Sequence, residues 1–442
     1  MTSKNCPILL IMLLINLLSP LRADQYFTLC EGNFGQANAS LWSLDASLNT
    51  MSGPLLWNTS SNPLGDVGQS LTLHDHKLYI VMNGSHEIRV VNLESGAVIG
   101  EDINLPDSSP RFLAIHPESE RGFVSSWNLG ALLILDLNTS SVIDTFFLNA
   151  LPEQLLIDGD NLYVSIPMNA DWSGNNKVLQ INLSGSELEV VHSFDVIDGP
   201  GAMALLNDRL YVTSIYYNDA WETFSGTSQI NLSDNSVMTM DHGSYTNYSA
   251  DIHIIQGSAY RTYGNSIVPL NEDLSLNLDA SIGDFVNIYT FSLANNKIFI
   301  GSSDFLAPDQ VGVYSLTGES LGSFNVGALP SDFVYYNPDI VSADNLISSL
   351  SSFEFKPNFP NPFNPSTSIP FEIDAADYVH LNIYDLRGVF VVSLIEAPLQ
   401  PGRYTSSWDG KNMQGELVSS GIYHAVLSSA TQQIALKITL IR

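Results

Sequence analysis

The feature that most restricts the fold of this chain is an aromatic residue that recurs inside short β-type runs. Successive occurrences are separated by 53, 44, 40, 48, 49 and 39 residues. Periods of roughly 40 to 50 residues built from short strands are typical of propeller blades. The sequence therefore predicts an all-β fold, a seven-bladed β-propeller with four strands in each blade. The recurring residues are Tyr26, Tyr79, Phe123, Tyr163, Tyr211, Tyr260 and Phe299.

The two ends of this repeat array indicate how the ring closes. The array begins on an aromatic second strand, QYFTLC, so the first blade lacks its innermost strand. The segment 331–337, SDFVYYN, follows the seventh blade. Because an unpaired strand edge is an aggregation hazard, we expect this segment to pair with the N-terminal strand. The propeller is predicted to span residues 24–337 and a Ser-rich linker residues 338–358, with an eighth short strand in the linker as the alternative.

The remainder, residues 359–442, predicts a separate small β-sandwich. Its opening, FPNPFNP, fits neither a helix nor a central strand, because proline fixes φ and lacks a backbone donor. The runs that follow alternate apolar and polar residues between Gly and Asp, as expected for antiparallel strands with one buried face. Two apolar sets share strand faces in this way: Ile369, Phe371 and Ile373 in one strand, and Val379, Leu381 and Ile383 in the next.

Four short motifs mark this C-terminal segment: PNPFNP at 360–365, IYD at 383–385, WDG at 408–410 and SGIY at 420–423. With them it resembles the C-terminal sorting domain of type IX secretion cargo, in its variant similar to the FlgD-like immunoglobulin-type module. Val389 departs from that pattern, in which Lys or Arg usually follows the glycine. The resemblance implies an export address that secretion machinery reads. It assigns the sorting signal to Pro362, Asn364, Gly388, Trp408, Gly410, Gly421, Tyr423, Lys437 and Arg442.

A shorter motif opens the propeller region, EGNFG at 31–35 followed by ASLWSLD. In this motif the chain resembles secreted bacterial propellers of the YVTN and surface-layer type. The resemblance supports the propeller and implies nothing about its ligand, since such folds carry unrelated functions.

The N-terminus predicts a signal peptide at residues 1–23. Lys4 precedes an apolar run at 7–18, and Ala23 offers a small residue for cleavage. A bilayer span needs roughly 20 apolar residues, so this run is too short, and we expect no membrane span in the mature chain. The expected location is outside the cell or on its surface, reached through the periplasm.

The charge of the chain narrows its partners. There are 46 acidic and 16 basic residues, and the formal net charge is −30. Such a surface repels phosphate backbones and anionic lipid heads, so nucleic acid and membrane surfaces are disfavoured as partners. Calcium binding by clustered carboxylates is the alternative use of the acidity, although no D-x-[DN]-x-[DN]-G loop occurs. Cys30 is the one cysteine outside the predicted signal peptide, which leaves no intramolecular disulfide.

The sequence contains no common catalytic or cofactor motif in the context that its chemistry needs. G-x-S-x-G occurs once, as GESLG at 318–322, where it leads into a strand-like run and makes no strand-to-helix elbow. H-E-x-x-H, phosphate-binding glycine loops and C-x-x-C are absent, and we expect neither a cofactor nor a metal. Metal ligation by His74 and His76 is conceivable, because residues two apart on a strand share a face. We expect solvated turn residues instead, with His116 in the equivalent place one blade later.

The candidate ligand site is predicted at the loops between second and third strands, which lengthen in blades four and five. Both loops combine Asn, Asp and Trp. Aromatic faces beside amides and carboxylates suit a sugar or a peptide. The alternative is that these rings pack only against their own loops. The candidate residues are Asp171 and Trp172 in blade four, Tyr216, Tyr217, Asp219 and Trp221 in blade five, and Trp127, Gln154 and Tyr248 around the channel mouth.

Two functions from different classes remain. The first is a secreted or surface-attached binding protein for a carbohydrate or protein ligand. The second is an extracellular hydrolase or lyase with Asp171, Asp219 or Glu222 as acids, for which the carboxylate separation decides whether paired acid–base work is possible. The binding protein is favoured because it requires no catalytic constellation.

Overall fold

The computed structural model describes most of the chain from residue 24 onward. The predicted signal peptide, Gly388 and Arg442 lie outside the described residues, as does most of the predicted linker. Among the described residues, no helix is long and apolar enough to span a bilayer. The described ranges are 24–55, 64–93, 102–185, 187–248, 250–305, 308–338, 353–356, 358–373, 377–385, 390–400, 402–413, 415, 417–428 and 433–441.

Seven antiparallel sheets follow one another along residues 25–336, as the repeat predicted. We number these sheets as blades 1 to 7 and give their strands from the innermost outward. Blade 1 comprises Pro330–Tyr336, Gln25–Cys30, Ser40–Asp45 and Met51–Ser52; blade 2 comprises Gly68–His74, Lys77–Met82, Glu87–Asn92 and Ile103–Asn104; blade 3 comprises Pro110–His116, Arg121–Ser126, Ala131–Asp136 and Ser141–Phe147.

The later blades keep this plan with two variations. The innermost layer of blade 4 is divided into two short strands, and blade 6 has three strands in the described residues. Blade 4 comprises Ala150–Leu151 and Leu155–Asp158, then Asn161–Asn169, Gly174–Asn182 and Glu189–Asp195; blade 5 comprises Pro200–Leu206, Arg209–Tyr217, Thr223–Asn231 and Ser236–Ser244; blade 6 comprises Ile252–Ile255, Ser258–Tyr263 and Ser266–Pro269; blade 7 comprises Ile288–Ala294, Lys297–Ser302, Asp309–Tyr314 and Ser320–Val326.

The prediction of four strands in every blade is therefore wrong for blade 6. After Ser266–Pro269 the chain makes isolated bridges, Ile267 to Ile282 and Leu270 to Leu276, and a 3-10 turn at Leu278–Ala280. A second 3-10 turn, Pro117–Ser119, joins the two inner strands of blade 3. The segment 271–287 thus covers the outer edge of blade 6 without forming a ladder.

The first blade is completed by the two ends of the propeller. Pro330–Tyr336 pairs antiparallel with Gln25–Cys30, with Phe27 opposite Val334, and forms the innermost strand of blade 1. This strand lies one residue earlier than predicted and has the predicted partner. The pairing occupies a strand edge that would otherwise be open.

Apolar clusters between adjacent blades hold the ring together. Each of the seven neighbouring pairs of blades shares one buried cluster. The recurring aromatic residues of the second strands fill these spaces: Tyr26 of blade 1, for example, lies 5.0 Å from Phe299 of blade 7, centroid to centroid. The recurring spacing therefore reflects one large ring on the second strand of each blade, packed against a neighbouring blade.

The C-terminal strands form a sandwich of two sheets. One sheet comprises Phe353–Phe355, Thr367–Ile373 and Gly402–Trp408; the other comprises Phe390–Leu399, Asp377–Asp385, Gly421–Ser428 and Gln433–Leu440. Pairing begins at Phe353, a few residues before the predicted start at 359, because FEF continues the strand pattern. Both predicted apolar faces lie in its core, around Trp408 and Phe363.

Candidate ligand-binding site

The innermost strands of the propeller surround a central channel. At one end of this channel, which we call the mouth, lies a cavity of about 690 Å³. The connections between blades and the turns between second and third strands lie at this end. Side chains from adjacent inner strands bond across the blade boundaries: the Ser70 hydroxyl donates to the Arg111 carbonyl at 2.9 Å, and the Thr72 hydroxyl donates to the Leu113 carbonyl at 2.8 Å. These bonds fix the channel wall.

Arg111 lines one wall of the cavity and contacts several other residues of that wall. Its guanidinium donates to both carboxylate oxygens of Glu153, at 3.0 and 2.7 Å, and to the side-chain carbonyl of Gln69. Its carbon also lies 4.2 Å from the ring centroid of Trp127. A bidentate ion pair with a stacked aromatic face holds a guanidinium rigidly. Arg111 therefore serves to order this wall.

Trp127 extends this wall toward the solvent. It lies edge-to-face against Trp172 of blade 4, with ring centroids 5.8 Å apart. The indole Nε1 of Trp127 is buried and has no hydrogen-bond partner among the described residues. A buried donor without an acceptor costs free energy. This N–H is therefore a donor at the cavity wall that a ligand acceptor would satisfy.

Three further rings stand at another part of the mouth, and we call them the aromatic trio: Tyr248, Tyr289 and Phe305. Tyr248 lies 4.6 Å from Phe305 and 6.5 Å from Tyr289, and Tyr289 lies 6.1 Å from Phe305, measured between centroids. Tyr248 is 68% exposed and Phe305 is 40% exposed. The trio is an apolar surface open to a ligand.

Glu31 lies between the trio and Arg111. Its backbone N–H donates to the Leu329 carbonyl at 2.8 Å, and its own carbonyl accepts from the N–H of Gly68 at 3.1 Å. Burial raises the pKa of its carboxyl to about 7, against the opposing effects of a hydrogen bond with Tyr289 and the charge of Arg111. Burial and the adjacent Glu31 carboxylate also raise the pKa of Tyr289.

Two aspartates lie deeper in the channel. Asp332 accepts the backbone N–H of Leu71 at 2.7 Å, and Asp251 accepts that of Phe291 at 2.7 Å. Burial raises the pKa of Asp332 to about 7, and the Asp251 charge contributes in the same direction. His253 of the same wall contacts the Phe291 carbonyl at 3.0 Å, and burial lowers its pKa to about 4.

The structure brings four of the predicted ligand residues to this mouth. Trp127, Gln154 and Tyr248 line the cavity, and Trp172 contacts Trp127. The side-chain carbonyl of Gln154 accepts the backbone N–H of Met203 and so bridges blades 4 and 5.

The blade-five residues lie elsewhere. Tyr216 stacks on Phe224 at 5.7 Å, and Tyr217 packs on Trp221 at 6.2 Å, within one hairpin. None of the predicted blade-five residues lines the cavity. Here the alternative interpretation, rings that pack on their own hairpin, describes the contacts. Much of the predicted loop is strand, because Arg209–Tyr217 and Thr223–Asn231 continue to a short turn.

The two hairpins share a turn geometry. Trp172 donates its backbone N–H to the Asn169 carbonyl at 2.9 Å, and Trp221 donates to Asn218 at 2.9 Å. Both tryptophans have positive φ, 68° and 61°. Bulky residues rarely adopt this left-handed region, and such strain often marks a functional position. In blade 4 the tryptophan ring contacts Trp127 of the channel wall and is 61% exposed, whereas in blade 5 it is 82% exposed.

The predicted acids do not form a pair at the cavity. Asp171 is fully exposed, and hydrogen bonds from the Ser173 hydroxyl and backbone lower the pKa of its carboxyl. Glu222 accepts from the Asn218 side chain at 2.7 Å, and Asp219 is exposed on the same turn. The carboxylates that line the cavity are Glu31, Glu153, Asp251 and Asp332.

Sequence reasoning did not identify these four acids, nor Arg111 and Tyr289. Arg111 itself offered a signal. Only 16 of the 442 residues are basic, and this one stands near the start of an inner strand. Glu31 was part of the quoted EGNFG motif without being assigned a role. Their convergence depends on which strand ends meet in the ring.

The histidine prediction requires a correction. His74 is buried, 5% exposed, and its Nε2 lies 3.4 Å from a carboxylate oxygen of Glu120 in the next blade. His76 contacts the Tyr336 hydroxyl at 2.9 Å, so the two imidazoles have different partners. His116 is also buried, and lies 3.5 Å from a carboxylate oxygen of Asp160. These side chains link neighbouring blades and are not solvated turn residues.

In the C-terminal sandwich, the proposed sorting residues divide into core and surface. Trp408 is 1% exposed, donates its indole N–H to the Lys411 carbonyl at 2.9 Å, and packs edge-to-face on Tyr423 at 5.0 Å. Gly410 has a φ of 70°, which favours glycine at this turn. Gly421 begins a strand; Pro362, Asn364 and Lys437 are exposed.

Comparison with known proteins identifies this region. Residues 364–433 match the FlgD Ig-like domain. Among curated proteins, none matches this chain in sequence.

Solved structures with some likeness to the chain include three of bacterial origin. Hydrazine synthase of Kuenenia stuttgartiensis is 14% identical, with a TM-score of 0.49, covering 60% of this chain and 88% of that one. Apo AztD of Citrobacter koseri is 10% identical, with a TM-score of 0.45, covering 71% and 98%. BamB of Moraxella catarrhalis is 12% identical, with a TM-score of 0.40, covering 67% and 83%. Because these TM-scores are below 0.5, the propeller fold is assigned from the seven sheets described above.

Proposed function

We propose that this chain is a secreted or cell-surface binding protein, in which the propeller holds a ligand at the channel mouth. The observation that carries the proposal is the cavity of about 690 Å³, where the Arg111–Glu153 pair, Trp127 and the aromatic trio converge. A largely pre-formed cavity with aromatic walls and a few directed polar groups suits a small ligand or one residue of a polymer.

The proposal extends to the route of export. The FlgD Ig-like domain at the C-terminus, together with the type IX resemblance of its motifs, supports a role as an export address. The domain has a compact core of its own around Trp408. The propeller would then be the cargo, carried through the periplasm to the outside of the cell.

A hydrolase or lyase is the second candidate, and Glu31 is the observation in its favour. A carboxyl with a pKa of about 7 has the protonation behaviour of a general acid. Its neighbours, Tyr289 and Arg111, are groups that could stabilise a developing negative charge. Binding explains the same features with fewer requirements, so it is the function we propose first.

One experiment separates the two. The mature protein is passed over immobilised extracellular polysaccharides and peptides, and both retention of the protein and release of soluble products are scored. Retention without products supports the binding protein, and sustained product release supports the enzyme. Trp127→Ala is expected to abolish retention, whereas Trp221→Ala, a tryptophan of the blade-five hairpin outside the cavity, serves as the matched control.

A further inference from the structure

The charges that face the cavity do not balance. Four carboxylates line it among the described residues, Glu31, Glu153, Asp251 and Asp332, against one permanent cation, Arg111. That cation is already paired with Glu153 in a bidentate contact and stacked on Trp127. Glu31 and Asp332 therefore give the cavity wall an excess of acidic groups that suits a positive ligand.

Resting on the proposed binding function, we propose that the ligand carries an ammonium group on an apolar stem, as a lysine side chain of a peptide does. The aromatic trio supplies the apolar surface for the stem. The distances of 4.6, 6.1 and 6.5 Å between its centroids describe a connected wall, and Tyr248 is 68% exposed at its rim.

The depth of the carboxylates suits a charge at the end of a stem. Asp332 and Asp251 bond the N–H groups of Leu71 and Phe291, each the fourth residue of an inner strand. Tyr289 of the trio is the second residue of the blade 7 strand, so at roughly 3.3 Å per residue the N–H of Phe291 lies about 7 Å farther along it. An extended side chain that passes the trio therefore meets carboxylates below it.

The protonation of the cavity supports the same ligand. Burial raises the pKa of Glu31 and that of Asp332 to about 7, so both carboxyls lose their charge readily in this site. A bound ammonium group stabilises the ionised forms and releases protons. His253 has its pKa lowered to about 4 and stays neutral near pH 7. Tyr289, whose pKa is raised, also stays neutral there.

Other sources of positive charge lack one of these features. A hydrated divalent ion gains nothing from three aromatic rings. An amino sugar carries its ammonium on a polar ring without an apolar stem, although the sugar face can stack on an aromatic wall. A lysine side chain matches all three features: its apolar stem packs on the aromatic trio, its length reaches the carboxylates below, and its ammonium group pairs with them.

The test is calorimetric titration of the mature protein with a capped Gly-Gly-Lys-Gly-Gly peptide at pH 5.5 and pH 8. The matched probe is the same peptide with an Nε-acetylated lysine, and a glucosamine hexamer is the third probe. We expect the lysine peptide to bind about tenfold or more tightly than the acetylated one at pH 8. The difference should shrink at pH 5.5, where Glu31 and Asp332 are protonated.

Glu31→Gln is expected to weaken the lysine peptide about tenfold at pH 8 and to flatten the pH dependence. Glu222→Gln, an acid of the exposed blade-five turn, is the control and should change neither. Thermal melting confirms that both variants fold. Equal binding of the two peptides, or stronger binding of the glucosamine hexamer than of the lysine peptide, would overturn the inference.

These outcomes remain distinguishable from failure of the proposed function. If the lysine peptide does not bind but a neutral polysaccharide retains the protein through Trp127, the ligand class is wrong and the binding function stands. If no polymer or peptide retains the protein, the binding function itself fails, and the inference with it.

Discussion

At the residue scale, Glu31 shows how a ligand site differs from a structural site. Its backbone is fixed by bonds to Leu329 and Gly68, yet its carboxyl is held where ionisation is unfavourable. Residues arranged for function often lower stability in this way. Stability measurements can therefore detect the site without knowledge of the ligand.

We expect Glu31→Gln to stabilise the ligand-free protein at pH 8 and to have little effect at pH 5. The pKa of the carboxyl is raised from 4.5 to about 7 in the folded state, so the folded protein binds more protons than the unfolded chain between these values. Stability of the wild type falls as pH rises through that window. Glutamine removes this loss.

The measurement is the melting temperature of Glu31→Gln and of wild type at the two pH values, with Glu222→Gln as the control. Equal destabilisation of Glu31→Gln at both values would mean that Glu31 is a structural residue. An increase confined to pH 8 supports the assignment of Glu31 to a ligand site.

Trp408 is the corresponding residue of the FlgD Ig-like domain. It is 1% exposed and contacts both Phe363 and Tyr423. Trp408→Ala should cost about 3–5 kcal/mol, which is enough to unfold a domain this small. Limited proteolysis should then digest the C-terminal region and leave the propeller intact. Digestion of the propeller at the same rate would contradict its independence, and Lys437→Ala, an exposed residue, is the control.

At the scale of elements, the repeat was readable from sequence because the second strand of each blade carries one large ring that packs against a neighbouring blade. Tyr26 and Phe299 illustrate this. Each stands in a run with a β-strand pattern, and the two rings are in contact between blades 1 and 7. The missing outer strand of blade 6 was not readable, because the pattern does not tell a full ladder from the isolated bridges, Ile267 to Ile282 and Leu270 to Leu276, that the chain makes there.

The ring-closing strand offers a prediction with a matched control. Replacing Pro330–Tyr336 by a Gly-Ser sequence of the same length should expose the inner edge of blade 1 and promote aggregation. The same replacement of Ser320–Val326, an outermost strand of equal length, should be milder, since blade 6 has three strands in the described residues. Size-exclusion chromatography and melting temperature measure the effect, and equal effects would contradict closure by this strand.

The hairpins of blades 4 and 5 provide a second prediction at this scale. Trp172→Asn should weaken ligand binding by about 1–3 kcal/mol, because Trp172 supports Trp127 at the cavity wall. Trp221→Asn should leave binding unchanged, because Trp221 contacts Tyr217 within its own hairpin. Asparagine is tolerated at positive φ, so the turns persist in both variants. Weaker binding by Trp221→Asn would extend the site to blade 5.

At the scale of the whole molecule, the two domains have separate tasks in the proposed function. Deleting residues 353–442 in the native host should leave a folded propeller in the periplasm, because the export address is gone. Fractionation with an antibody to the propeller measures this, and a chain carrying an unrelated immunoglobulin-like domain in that place is the control. Efficient appearance of the deletion product outside the cell would contradict the sorting role.

The candidate site is a property of the closed ring, which explains why sequence analysis found only part of it. Trp127, Gln154, Trp172 and Tyr248 were identified because loop aromatics and amides are conspicuous locally. Arg111 and Glu153 are 42 residues apart, and Glu31 meets Tyr289 only through the closure of blade 1 on blade 7. Such pairs follow from the arrangement of blades and have no local signature.

The most direct test of binding at the channel mouth is a crystal structure of the mature protein with the ligand fragment that the retention assay selects. We predict ligand density inside the cavity, in contact with Trp127, Glu31 and the aromatic trio. Density confined to the blade-five hairpin or to the FlgD Ig-like domain, with the cavity empty, would contradict the proposal.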